Sequence, residues 1–258
     1  MSFTGPIANL SAYKMRGIDK IIIRTKGGAS KSRIKRHPDF EKTRLLNAEF
    51  GGRSSAVRHI RCLLSGQKAL ADYNFAGKLN ALVKPLQDMD TENKPGERSI
   101  CFSRNPQLLA GFNLNRQTPF DSIIRNPVLF TLSRENPEAF LDIPTLLPGI
   151  NFFAPEKYPV YSFIATLGIL PDLFFHKHGY QSPPAYGQFI YPVVEKTSWY
   201  PVLNGAAAET IHLKFDSVPP DNNYSLLLSI GIAFGTITTG NQVQQVKYAG
   251  AAKVLAMK

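Results

Sequence analysis

The chain has 258 residues, 43% of them hydrophobic and 11% aromatic, and a formal net charge of +11. That composition supports a buried core and excludes a globally disordered chain. No run approaches roughly 18 consecutive apolar residues, so no membrane span is expected. The opening MSFTGPIANLSAYKMRG lacks the charged and apolar regions of a secretory signal. Cytoplasmic residence is the default expectation, with non-classical export as the alternative.

The charge is unevenly placed. Residues 1–99 hold 19 Lys/Arg against 9 Asp/Glu, whereas residues 100–258 hold 11 against 10. Such asymmetry points to contact with something acidic: nucleic acid, a membrane surface, or an acidic patch on another chain. Composition also shifts near Asn93–Arg98, because 16 of the 19 prolines lie between Pro95 and Pro220. The expected organisation is a basic hairpin and helical region over residues 1–95 and a β-sandwich-like domain over residues 96–258. The fold class is α+β: an N-terminal β-hairpin and helices followed by an antiparallel β-sandwich.

In chain order, the β-branched run Ile21–Arg24 predicts a strand ended by Gly27-Gly28. GASKSRIKRHPDFEKTR reads as a loop, with Pro38 and Asp39 suited to a helix start. From Phe40 to Asp72, Leu45, Ala48, Phe50, Val57, Ile60, Leu63 and Leu64 recur at helical steps. They predict an amphipathic helix interrupted or kinked at Gly51-Gly52, since each glycine costs roughly 1 kcal/mol relative to alanine. A second helix fits Ala76–Met89 on the stripe Leu79, Leu82, Val83 and Leu86, despite Pro85. Beyond Pro95 the patterns are strand-like: VYSFIATLGIL (160–170), GQFIYPVVEK (187–196), ETIHLKF (209–215), NYSLLLSIGIAFG (223–235) and QVQQVKYAGAAKVLAM (242–257). SPP, VPPDNN and TTGN supply turns between them. Several short antiparallel strands suggest a sandwich, each strand with one face covered by another sheet or by helices.

The chemistry-bearing features are few. Lys26, Lys31, Arg33, Lys35 and Arg36 form a cationic stretch able to pair with phosphates, and Arg53, Arg58 and Arg61 add a helical face. The glycine pair does not make a Walker loop, because the GxxxxGK[ST] spacing is wrong. No Phe, Tyr or Trp lies between Lys14 and Phe40 to stack on bases, and a solvated loop is the plainer reading. In DLFFHKHGY (172–180), His176 and His178 would share a strand face, with Glu195 or His212 as a third metal ligand, although histidines in a turn are more often ordinary surface residues. Cys62 and Cys101 lack CxxC spacing and read as inert thiols. Asp142, Glu156, Asp172, Glu195, Glu209 and Asp216, with Ser162 and Ser229, belong to no hydrolase, metalloprotease or dinucleotide motif. No catalytic residue, metal or cofactor is assigned. Tyr180, Tyr186, Trp199 and Tyr200 suit core filling first, and a sugar-stacking platform or assembly contact second.

The first quarter of the chain, GPIANLSAYKMRGIDKIIIRTKGGASKSRI followed by PDFEKTRLLNAEFGGRS, resembles the opening of uncharacterised protein families from Bacteroidota. In those families a "G…G…R" hairpin precedes an "R…N..F" helix. The likeness covers residues 5–90, with Gly5, Gly17, Arg24, Arg44, Asn47 and Phe50 as the shared positions. It implies a hairpin and helices ahead of a β-rich remainder, and a hairpin that docks rather than catalyses. It transfers no catalytic residue.

The reading is therefore a non-enzymatic structural or interaction protein, self-assembling into a homo-oligomer or filament. Its interaction residues would be Ile21, Ile23, Arg24, Lys26, Lys31, Arg33, Lys35, Arg36, Arg53, Arg58 and Arg61, with the arm laid on a neighbour's sheet edge. Two alternatives stand beside it: a nucleic-acid-binding protein using the same basic region, and a carbohydrate-binding sandwich.

Overall fold

The computed structural model describes residues 3–15, 19–25, 27–177, 179–240 and 242–258, so Gly17, Lys26 and His178 lie outside the described residues. The chain divides into two compact units, residues 1–46 and residues 47–258. The expected division near residue 95 is displaced because the helices that follow residue 47 bury their apolar stripes against the β-sheet of the larger unit.

In the smaller unit, β1 (Gly5–Ile7), β2 (Leu10–Lys14) and β3 (Ile21–Thr25) form an antiparallel sheet in that order. Ala8 and Asn9 make the tight turn between β1 and β2, and Ala8 takes a positive φ of 45°, as hairpin turns demand. The stretch read as a loop contains a short helix, α1 (Lys31–Arg36). Ser30 caps it, accepting a hydrogen bond from the Arg33 N–H at 3.2 Å. His37 is extended at ψ 135° ahead of Pro38, which ends the helix. A 3-10 turn over Pro38–Phe40 leads into α2 (Glu41–Leu63). Arg44 donates to the carbonyls of Ile34 (3.0 Å) and His37 (2.9 Å), satisfying groups at the end of α1.

The helix α2 runs through Gly51-Gly52 without the expected break. Gly52 is there for space: a Cβ would sit 2.8 Å from the Tyr180 ring. Inward of it, Ala56, Val57, Ile60, Leu63 and Leu64 are buried together with Leu79, Val83 and Leu86 of α3 (Ala76–Asp88). Phe50, expected on that stripe, is 54% exposed.

The β-rich remainder contains two packed antiparallel sheets. The larger has β10 (Tyr200–Pro201), β6 (Val160–Pro171), β12 (Tyr224–Ile237) and β13 (Val243–Met257) in that order, with β9 (Val193–Lys196) also paired to β6. The smaller orders β11 (Glu209–Lys214), β5 (Glu138–Ile143) and β4 (Leu129–Ser133). Neither β4 nor β5 was expected from sequence. A hairpin of β7 (Phe174–His176) and β8 (Gly179–Gln181) lies apart, and a single-turn helix α4 spans Phe120–Ile123.

All 12 residues of β6 are buried. Its odd positions Tyr161, Phe163, Ala165, Leu167 and Ile169 pack with Leu226, Leu228, Ile230, Ile232 and Phe234 of β12 against Ala139, Leu141, Ile143, Ile211 and Leu213 of the small sheet. The opposite face holds Ile164, Leu170, Leu227, Ala233, Ala252 and Val254 against the helices. A strand covered on both faces reads as a continuous apolar run, which is why alternation is lost in these segments. Small residues let the helical layer come close. A Cβ on Gly168 would lie 2.8 Å from Leu63, and one on Gly231 would lie 2.6 Å from Leu70. The architecture is thus α+β, a sandwich of two antiparallel sheets with helices on the outer face of the larger one.

Candidate interaction surface

Register and alternation sort the small N-terminal sheet into two faces. Ile7 opposes Leu10, Ala12 opposes Ile23, and Lys14 opposes Ile21. Ile7, Leu10, Ala12, Ile21 and Ile23 therefore share one face, with Lys14 at its end. Only Ala12 among the described residues of this unit is buried, while Ile7, Leu10 and Ile23 are 55%, 42% and 64% exposed. The other face carries Tyr13 and Arg24, whose guanidinium carbon lies 5.6 Å from the ring centroid. Among the described residues the strand β3 pairs with β2 alone, so its outer edge offers unpaired backbone groups.

Charge concentrates on this unit. Residues 1–46 hold 11 Lys/Arg and 3 Asp/Glu, a net +8 of the chain's +11. Lys31, Arg33, Lys35 and Arg36 are all exposed on α1. Arg33 lies 5.9 Å over Phe40, and none of the four has a carboxylate partner among the described residues. Of the sequence-derived interaction residues, Ile21, Ile23, Arg24, Lys31, Arg33, Lys35 and Arg36 belong to this unit, and Lys26 lies outside the described residues. Sequence reading missed Ile7 and Leu10; the alternation across GPIANLSAYK, with a two-residue turn at its centre, was the signal that carries them.

The helical arginines behave differently. Arg53 is buried at 9% exposure and donates to Gln87 Oε1 at 2.7 Å, so it does not belong to a solvent-facing basic patch. Gln87 in turn donates to the Arg98 carbonyl and the Tyr180 hydroxyl, both at 3.1 Å. Glu49 accepts from the Gly96 N–H at 3.0 Å. The EFGGR stretch is therefore a structural clasp: Glu49 holds the NKPGER turn, Gly52 makes room for Tyr180 of β8, and Arg53 holds Gln87 of α3. Arg58 is exposed and Arg61 half-buried on the same helix.

The remaining candidates disperse. His176 is exposed on β7, while His212 stacks on Phe140 with centroids 4.2 Å apart and lies 3.2 Å from Glu138. No group of three or more His, Cys, Asp or Glu able to hold a metal occurs among the described residues. Asp172 is buried, and its carboxyl is pushed up by desolvation against the opposing hydrogen bonds from Ser103 Oγ (2.6 Å) and Ser103 N–H (2.9 Å). Cys101 is pushed up to about 11 by burial, with Asp172 adding to it, which keeps a protonated thiol. Asp142 accepts from Thr210 and Glu209 from Tyr200, each at 2.7 Å. Tyr180 packs over Gly52, Tyr186 is buried with its hydroxyl on Asp221, Tyr200 tilts onto Tyr161, and Trp199 packs beside Gly235. These four aromatics sit in packing roles.

No helix among the described residues is long and apolar enough to cross a membrane. No protein-family model, curated protein or solved structure matches this chain.

Proposed function

We propose that the protein is a non-enzymatic interaction subunit that self-associates through its N-terminal unit. The observation that carries this reading is the exposed apolar face of Ile7, Leu10 and Ile23 on a sheet that buries little and has an open edge at β3. A sheet with so little burial is marginal alone, and a partner surface supplies what it lacks.

A second copy offers a suitable acceptor. Among the described residues the edge strand β4 pairs only with β5, and it exposes Leu129 (64%) and Phe130 (39%). Lys258 Nζ donates to the Leu132 carbonyl of this strand at 3.0 Å. Glu138 and Asp142 of β5 supply negative charge beside it. The long strand β12 does not serve as an acceptor, since it is paired on both sides. On β13, Gly111, Phe112 and Leu114 already bond the backbone at Ala252 and Val254. Because donor and acceptor surfaces differ, the contact is heterologous and builds rings or filaments rather than a two-fold dimer.

Sedimentation velocity at several salt concentrations, with electron microscopy of the same samples, tests the proposal. Ring or fibre formation that Ile23→Lys abolishes while far-ultraviolet circular dichroism stays unchanged is the expected result. A strict monomer at high micromolar concentration overturns it. A second reading, a nucleic-acid-binding arm, is favoured by the four exposed cations of α1. It requires an affinity that falls steeply with salt and a shallower salt slope when Lys31, Arg33, Lys35 and Arg36 become alanine.

A further inference from the structure

A second feature lies wholly in the larger unit and uses none of the N-terminal surface. Between α2 and the 3-10 turn Pro184–Phe189, over the end of β6, is a cavity of about 330 Å³. Its walls include Leu63, Ile169, Phe189 and Ile190, and Arg58 and His59 of α2 also line it. Small-molecule sites span roughly 300–1,000 Å³ and combine apolar walls with a few polar groups, so this one suits a slender ligand.

The polar groups narrow the chemistry. Arg58 is exposed, and no carboxylate or carbonyl acceptor pairs with it among the described residues. Its guanidinium is a planar fork of donors that matches a carboxylate in two parallel hydrogen bonds. Burial pushes the His59 imidazole below its ordinary value, and the adjacent Arg58 charge pushes the same way, so His59 brings no second positive charge at neutral pH. A phosphate ester would meet one cation where such groups gather several donors. A single charged head on an apolar tail fits the arrangement better.

We propose that this cavity binds a straight-chain aliphatic carboxylate of medium length, its carboxylate paired with Arg58 and its tail against Leu63, Ile169, Phe189 and Ile190. Cys62 also lines the cavity, half-buried, with its thiol directed to the Ile190 carbonyl at 3.6 Å. It is a filler of the wall, and a larger side chain there would occupy the tail's space.

Isothermal titration calorimetry of the full chain with hexanoate, octanoate and 1-octanol tests the proposal. Octanoate should bind, and more tightly than hexanoate by about fourfold per methylene. Arg58→Gln should weaken octanoate about tenfold or more while leaving 1-octanol within about twofold, since the lost contact is charge-assisted. Cys62→Phe should remove binding of both ligands at an unchanged melting temperature. No octanoate binding to the native chain overturns the proposal, and so does an octanoate affinity that Arg58→Gln leaves unaltered. Arg58 is exposed and outside the core, so its variant remains informative if Cys62→Phe does not fold.

Discussion

The two units of this chain solve the problem of apolar surface in opposite ways. In residues 47–258 both faces of the central strands are covered, one by a second sheet and one by helices, and the charge is nearly balanced. Among the described residues of 1–46 only Ala12 is buried, Ile7, Leu10 and Ile23 are exposed, and eight of the chain's eleven net positive charges are gathered in this stretch. The contrast teaches where stability resides and, on the proposed function, which unit makes the contact. A core mutation should act on folding, and an arm mutation on assembly.

The largest expected effect is therefore in the layer between helices and sheet. Leu70 is fully buried against Gly231 and Gly250, and Leu70→Ala should cost about 3 kcal/mol in urea unfolding. Ile23→Ala, on the exposed arm, should change unfolding by no more than about 0.5 kcal/mol while weakening assembly in sedimentation. Equal losses of stability from both would erase the contrast between the units.

Gly52 and Gly51 sharpen the comparison at the start of the larger unit. Gly52→Ala forces the Tyr180 ring away and should destabilise by about 1–2 kcal/mol, measured by thermal unfolding. Gly51 is exposed with nothing within 4 Å of a built Cβ, so Gly51→Ala should stabilise by up to about 1 kcal/mol. The same chemical change, one residue apart, should have opposite signs.

Asp90 gives a smaller, pH-dependent effect. Burial raises its pKa, but hydrogen bonds from the Asn93 side chain and the N–H groups of Ser99, Asn93 and Glu92 outweigh this and lower it from 3.8 to about 2. A depressed carboxyl stabilises the fold above its unfolded value, and that contribution fades as pH falls from about 4 toward 2. Asp90→Ala should cost about 1 kcal/mol at neutral pH and flatten the stability profile across that window, read by unfolding at a series of pH values.

Much of the architecture was legible in local pattern. The helix over α3 and the strands β3, β6, β11, β12 and β13 carry periodicity or β-branched and apolar runs that a short window contains. Three things were not legible. The short helix α1 has no apolar stripe and depends on the Ser30 cap, the Arg44 contacts and the stop before Pro38. The edge strand β4 is only five residues, with no clean alternation: its first three positions are exposed and its last two half-buried. Arg53 looked like one more surface cation because its partner, Gln87, lies 34 residues away.

By itself, the amino-acid order determined the secondary elements that bury a repeating face, and it concentrated positive charge at the front of the chain, because periodicity and charge are local properties of a peptide. Only the tertiary structure decided which glycines are spaces for a neighbour's side chain, which arginine is buried, where the compact units part, and which apolar residues stay uncovered. Those outcomes depend on contacts between residues far apart in sequence, and burial is a property of the packed whole that no short window contains.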